Sequence, residues 1–247
     1  MQPTRDIEKY TKDYLSDNYD FEKIQVKYRR KKVLEILNQY KPKRVLEIGS
    51  GTDSIANYYT KFDKFVIVEP SKIFINQCIK KNNDKIIFIN DFVENIIEDL
   101  KRENFDFIIL SSVLHEVINP NEFLKQITNI CNSETILHIN VPNSESFHLL
   151  WAYESGLIND IGDLTKRAKH LQQNTTFDIP KLSEMIQNNN MIVIDKGSYF
   201  IKPFNHNKML NLYKSGIIDD NLLEGLYTMV KYLPDMGSEI YANCRLK

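Results

Sequence analysis

The segment Arg44-Val-Leu-Glu-Ile-Gly-Ser-Gly-Thr-Asp-Ser54 constrains the fold of this chain more than any other. The apolar run from Val45 to Ile48 breaks at Gly49-Ser50-Gly51, and Asp53-Ser54 then open a stretch whose periodicity predicts a helix over 54–61. A strand that feeds a glycine turn at a helix N-terminus lets backbone approach a ligand closely. A second apolar run, Phe65-Val-Ile-Val68, ends in Glu69. An acidic residue at the tip of a second strand is where a Rossmann-like sheet holds ribose hydroxyls. Together these features predict a nucleoside-binding site.

The rest of the chain supplies the sheet that such a site needs. Helices are predicted over 5–16 and 22–40, the second from the spacing of Tyr28, Val33, Leu34 and Leu37, with Lys41-Pro42 as its stop. Strands are predicted near 44–48, 65–69, 86–90, 105–111 and 134–141, separated by helices near 54–61, 71–82, 93–102 and 121–131. Runs such as Phe107-Ile-Ile-Leu110 are apolar throughout, as parallel strands covered on both faces should be. The alternation predicts an α/β fold of Rossmann type, a mostly parallel sheet with right-handed crossovers and helices on both faces. After Val141-Pro142 the pattern changes: 143–177 is polar and helix-rich, then a helix (179–189), a strand (191–201), a helical stretch (206–231) and a last strand (237–246) follow. The expected organisation is one domain over 1–247. It comprises a helical arm (1–40), a cofactor-binding core (41–142), and cap insertions at 143–178 and 203–233 over the acceptor site.

Charge and cysteine usage remove several classes of function. Thirty-two Lys and Arg stand against 33 Asp and Glu, for a formal net charge of -1, which argues against a phosphate backbone as partner. The basic cluster Arg29-Arg-Lys-Lys32 lies on a predicted helix and reads as a solvated face. Cys78, Cys131 and Cys244 are scattered and odd in number, so neither a disulfide framework nor a zinc site is expected. No run has membrane-spanning length and no leader-like segment opens the sequence, so a cytoplasmic protein without membrane insertion is expected.

With Leu46-Glu-Ile-Gly-Ser-Gly51, Glu69 and Asp91 in this order, the chain resembles class I S-adenosylmethionine-dependent methyltransferases from about residue 40 to the last strand. The resemblance implies an antiparallel last strand in the sheet, S-adenosylmethionine as cofactor and S-adenosylhomocysteine as its product. It also implies that Gly49 and Gly51 pass under the methionine part while Glu47 holds the loop. Glu69 would bind the ribose, Asp91 the adenine amino group with Phe92 beside the ring, and Ser111, Ser112 and Leu114 would border the reactive end. Asp53, where a dinucleotide fingerprint has its third glycine, would repel a diphosphate but is tolerable near a sulfonium and an ammonium. Asp53 is also a candidate helix N-cap.

Methyl transfer to oxygen or nitrogen is an in-line displacement that gains from positioning and, for a hydroxyl, from a base. In Ser111-Ser-Val-Leu-His-Glu-Val117, His115 and Glu116 follow the fourth strand, where His115 either faces the acceptor or packs under the cofactor. His138 lies within a strand and reads as a core histidine; His206 is undecided. Val141-Pro-Asn-Ser-Glu-Ser-Phe-His-Leu-Leu150, together with His170, Lys202-Pro-Phe204 and Ser238-Glu-Ile240, resembles a subgroup of bacterial methyltransferases acting on small molecules or surface polysaccharides. That resemblance places Asn143, His148 and His170 toward the acceptor, each with a structural hydrogen bond as its alternative. Tyr10, Tyr14, Tyr19 and Phe21 form an aromatic arm that either closes as a lid, with Tyr19 or Arg29 reaching the cofactor carboxylate, or packs the first helices onto the sheet.

The expected activity is transfer of a methyl to oxygen on a small polar acceptor, such as a precursor in capsule biosynthesis: a sugar nucleotide or a phosphoramidate-like group. N-methylation of a small molecule and a non-catalytic binding protein are the alternatives. Asp219-Asp220 reads as a turn or cap and no metal is expected. Neither a nucleic-acid recognition region nor a Tyr-x-x-x-Lys pair follows the fourth strand, so nucleic acid and NAD-linked chemistry are not expected. Leu210, Leu212, Leu222, Leu223 and Leu226 leave a monomer and a homodimer equally open.

Overall fold

The computed structural model describes residues 6–15, 20–80, 83–164, 168–169 and 172–247. Tyr19 and His170 therefore lie outside the described residues. Two helices, α1 (Ile7–Leu15) and α2 (Asp20–Tyr40), precede β1 (Arg44–Ile48). Then come β2 (Lys64–Val68), α3 (Lys72–Gln77), β3 (Ile86–Ile89), α4 (Ile97–Lys101), β4 (Phe107–Ser111), α5 (Pro120–Thr128) and β5 (Ile136–Pro142). The second part holds α6 (Phe147–Glu154), α7 (Ile179–Asn188), β6 (Met191–Tyr199), α8 (His206–Lys214), α9 (Asp220–Thr228) and β7 (Glu239–Leu246).

These strands form one seven-stranded sheet in the order β3-β2-β1-β4-β5-β7-β6. Neighbours from β3 to β5 pair in parallel, and β7 runs antiparallel to both β5 and β6. This is the sheet the sequence predicts, antiparallel last strand included. The pleat explains why its central strands are mostly apolar. Val45, Phe65, Ile67, Phe107 and Ile109 face one side, with Val33 and Leu37 of α2 in the same buried cluster. Leu46, Val66, Val68, Ile108 and Leu110 face the other, clustered with Phe123 and Ile127 of α5 and Leu182 of α7. Each of these strands buries both faces, so apolar residues dominate them, with the hydrogen-bonded Glu47 of β1 as a buried polar exception.

Several helices are shorter than their periodicity predicts. The stretch 54–61 is only a 3-10 turn, Ile55–Asn57. Ser54 caps it through a bond from Ala56 N (3.1 Å), and Asn57 Nδ2 donates to Cys78 O (2.7 Å). Short polar side chains that bind nearby backbone compete with helix propagation. The stretch 93–102 splits into a 3-10 turn (Val93–Asn95) and α4. The stretch 206–231 divides after Gly216, whose φ is +75°, and Asp219 restarts the helix by accepting from Leu222 N at 2.8 Å.

The cap insertions also sit differently from one another. The segment from 143 to 177 is closed at its base by a bridge between Asn143 and Phe177 and by Ser144 N donating to Phe177 O at 2.8 Å. It covers the strand tips. The 203–233 segment packs mainly on α2, through a cluster of Phe21, Tyr28, Tyr199, Phe200, Met209, Leu223 and Tyr227. Leu223 is buried there, whereas Leu222 is exposed. Among the described residues no helix is long and apolar enough to cross a membrane, and no cluster of His, Cys, Asp and Glu could hold a metal ion.

Candidate active site

The strand order reverses direction between β1 and β4, and in open sheets of this kind ligands occupy the crevice beyond that reversal. A cavity of about 720 Å³ lies there. That volume suits a cofactor-sized ligand together with a small second molecule.

The β1 turn forms its floor. Gly49 has φ +76° and Gly51 φ +57°, and a Cβ on Gly49 would meet Val113 Cγ2 at 2.6 Å. Only glycine lets the turn pass this close to the loop after β4. Glu69 ties the two strand tips together: Gly51 N donates to its Oε2 (3.1 Å) and Ser71 N to its Oε1 (2.9 Å). Below the turn, buried Glu47 accepts from Ser54 Oγ and from Ile55 N. Burial pushes the Glu47 carboxyl up to about 7, against the opposing pull of those two bonds. Ser54, not Asp53, is the cap of the following turn. Asp53 instead accepts from Arg30 (2.7 Å), Tyr58 (2.6 Å) and Asn57 (2.8 Å), with Lys80 at 3.1 Å.

The next strand tip differs from expectation. Phe92, Glu94 and Asn95 border the cavity, but Asp91 does not. Its Oδ1 accepts from Phe92 N (2.7 Å) and Asn95 Nδ2 (2.6 Å), so its charge is drawn into its own turn. At the tip of β4, Ser111 and Ser112 line the cavity. Ser112 takes φ +57°, a left-handed conformation that turns the chain so that Val113, His115 and Glu116 also face inward. Leu114 is the exception. It is fully buried in the core cluster with Leu110 and Phe123, and does not border the cavity.

His115 and Glu116 are held by the cap. The His115 carbonyl accepts from Asn174 N (2.9 Å) and Thr175 N (3.2 Å), while Asn174 Nδ2 donates to Glu116 O (2.7 Å). The side chains face each other, His115 Nε2 lying 3.9 Å from Glu116 Oε1. The arm reaches the same point: Tyr10 OH donates to Glu116 Oε1 at 3.2 Å. Tyr10 and Tyr14 pack edge-on against Phe74 of α3, and Thr11 Oγ1 donates to Ser71 Oγ at 2.9 Å. Helix α1 thus spans the cavity mouth from the β2 tip to the β4 loop.

The far wall carries His148, Lys202 and His206. His148 Nδ1 lies 3.0 Å from Ser146 Oγ, and Lys202 Nζ donates to His206 Nδ1 at 3.3 Å. Burial, reinforced by the charges of Lys202 and His206, holds the His148 imidazole well below its ordinary pKa, so it is neutral at pH 7. Asn143 borders this region but spends its side chain on backbone. Its Nδ2 donates to Asp235 O and Gly237 O (both 2.9 Å), and its Oδ1 accepts from Glu145 N (3.0 Å). Arg29 is likewise engaged, gripping Glu239 through Nε and Nη2 and reaching Glu22 at 3.4 Å. It is a structural partner of β7, not a free cation offered to a cofactor carboxylate. His138 is a core histidine as expected, between Asn243 Oδ1 (2.8 Å) and Asn140 Nδ2 (3.1 Å). Phe74, Ser54, Asn174 and Lys202 were not singled out as site residues from sequence. Only the Lys202-Pro-Phe204 string gave a signal, and that came through the resemblance.

A sheet of this order with a glycine turn, an acidic β2 tip and a β4 loop around one cavity defines the class I S-adenosylmethionine-dependent methyltransferase architecture. The chain belongs to the methyltransferase domain family, whose model matches residues 21–200. Its sheet order and glycine turn are those of a methyltransferase domain, and neighbours of the same fold have been solved with S-adenosylhomocysteine. A structure described as a "possible histamine N-methyltransferase" of Thermotoga maritima is 17% identical, with a TM-score of 0.61 over 96% of this chain and 99% of that one. The plantazolicin methyltransferase BpumL, solved with a triazolic desmethylPZN analog and SAH, is 18% identical with a TM-score of 0.58, covering 98% and 97%. "Probable polyketide synthase 10" of Dictyostelium discoideum is 30% identical over 148 residues. That match takes in 48% of this chain and only 6% of the synthase.

Proposed function

We propose that this methyltransferase acts on oxygen of a small polar acceptor, bound between the His115–Glu116 pair and the His148 wall. The observation that carries the reading is His148, half-buried and lining the far end of a cavity whose near end is the glycine turn. The residues present fit the donor. Gly49 and Gly51 give close backbone approach, Glu69 and Glu47 surround the turn with acid, and Phe92 offers a ring face. The donor is cationic and carries no phosphate, so acids at this turn attract it. It supplies an electrophilic methyl group when bound; the chain's own residues bind, orient and exclude water. Tyr10 and Tyr14 close the mouth, and His148 or His115 accepts the hydroxyl proton of the acceptor, with Glu116 beside His115 to stabilise the charged ring. The sequence resemblance points to a surface-glycan precursor as acceptor.

Calorimetric titration with S-adenosylhomocysteine tests the donor half, and labelled methyl transfer to a panel of sugar nucleotides, polyols and amines tests the acceptor half. On an oxygen acceptor, His148→Gln or His115→Gln should lower turnover by about 10²-fold or more, the usual weight of a general base. Binding without turnover on any panel member would favour a non-catalytic role. A second reading, N-methylation, draws support from the Thermotoga neighbour's description. An amine attacks in its neutral form and needs less help from a base, so both variants would then keep turnover within a few-fold.

A further inference from the structure

The edge of the sheet next to the donor site is built like an interface. β3 is the terminal strand, and although it is only four residues long, no proline, bulge or charge interrupts Ile86-Ile-Phe-Ile89. Ile87 is 41% and Phe88 46% exposed although they point to opposite faces, and Ile73 on the preceding helix α3 is 47% exposed. An apolar edge whose outward backbone groups are unpaired is a template for another strand.

The backbone dictates which register a second strand can take. Lys85 and Ile89 turn their carbonyls toward β2, accepting from Phe65 N (2.9 Å) and Glu69 N (3.1 Å). In a strand, alternate residues address opposite sides, so Phe88 and Asn90 direct N–H and C=O outward, and Ile86 directs its carbonyl outward. We propose that β3 pairs antiparallel with β3 of a second copy of this chain, about a two-fold axis at Phe88, making one continuous sheet across a homodimer.

Self-complementarity selects this register over its neighbours. With Phe88 on the axis, Phe88 bonds Phe88 of the partner subunit in both directions. Asn90 N–H then donates to the carbonyl of Ile86 of the partner subunit. Across the pair Phe88 meets Phe88 of the partner subunit, Ile87 meets Ile89 of the partner subunit, and Lys85 meets Asp91 of the partner subunit. Aromatic, β-branched and opposite-charge pairs are the three kinds that stabilise adjacent strands. An axis at Ile87 would set Lys85 against Ile89, and an axis at Ile89 would set Asp91 against Ile87, so each isolates a charge. Within its own turn Asp91 accepts through Oδ1, from Phe92 N and Asn95 Nδ2. The arrangement is isologous, so it closes at two copies and does not propagate.

Sedimentation equilibrium over a concentration series reads this directly. Wild type should show twice the chain mass at the upper concentrations. Phe88→Lys, with its circular dichroism unchanged, should be monomeric throughout. Should that variant misfold, the charge pair decides. Lys85→Asp should raise the dimer dissociation constant by roughly tenfold, and Lys85→Asp/Asp91→Lys should restore it. A monomeric wild type would overturn the proposal. So would a dimer that survives Phe88→Lys, or a charge swap that fails to restore what Lys85→Asp removes.

Discussion

Arg29 of α2 holds Glu239, the first residue of β7, through two guanidinium nitrogens, and this pair fastens the helical arm to the antiparallel strand of the sheet. Gln25 Nε2 (3.0 Å) and Tyr199 OH donate to the same carboxylate. Glu239 is therefore a buried carboxylate with several donors, and Arg29 is the charged one among these three. Arg29→Met should destabilise the fold by about 3 kcal/mol, since removing one partner leaves the other charge buried and uncompensated. Arg29→Met/Glu239→Leu should recover much of that loss. Urea unfolding midpoints check both.

Gly49 couples the donor turn to the β4 loop. In Gly49→Ala, the φ of +76° is strained and the new Cβ lies 2.6 Å from Val113 Cγ2. The turn and the loop must then separate, and affinity for S-adenosylhomocysteine should fall by about 10²-fold, as expected for a misplaced site. Val113→Ala in the same background should recover part of it, because the clash is removed while the φ strain remains. Calorimetry measures each.

Glu47 gives donor binding a pH dependence. Its carboxyl titrates at about 7, so it is half neutral at physiological pH. A cationic ligand favours the ionised form, and affinity for S-adenosylmethionine should therefore rise between pH 6 and pH 8. S-adenosylhomocysteine lacks the sulfonium and should show a shallower rise. Glu47→Gln should flatten both. Titrations at the two pH values compare them.

His138 acts on stability in the opposite sense from Glu47. Burial pushes its pKa down to about 4, so the unfolded chain takes a proton below about 6.5 that the folded chain refuses. Its contribution is complete above 6.5 and is lost as pH falls toward 4, by about 3 kcal/mol in all. Glu47, with a raised pKa, gains stability as pH falls through the same window and masks part of the loss. The difference between wild type and His138→Gln, measured by urea unfolding at pH 7 and pH 5, should therefore shrink at the lower pH.

The sequence showed the sheet more clearly than the site. Val45 to Ile48, Phe65 to Val68 and Phe107 to Leu110 are mostly apolar because both of their faces are covered, and that pattern is local. The glycine turn and Glu69 were legible for the same reason: each follows its strand directly. Arg29, Asp53 and Asn143 were not, because their partners lie far along the chain or belong to main chain. Arg29 meets Glu239, Asp53 meets Arg30, and Asn143 meets the carbonyls of Asp235 and Gly237. Charge type alone cannot reveal that a polar group is already engaged. Leu114 shows a further blind spot. One residue of offset in a left-handed turn at Ser112 decides which side chains of Val113 to Glu116 look inward.

The reversed strand has a consequence for how the cavity is assembled. Because β7 enters beside β5 from the opposite end, Ser238 and Glu239 arrive at the cavity together with Asn143 and Lys202, far from the glycine turn in sequence. One wall of the cavity, around the glycine turn, comes from the stretch between Glu47 and Val113. The opposite wall is assembled from pieces of α2, the 142–176 segment, the turn after β6 and the start of β7. Apart from Arg30 of α2, which holds Asp53, the named contacts of the donor turn lie outside those pieces. The fold thus puts the two walls of one cavity on separate stretches of chain.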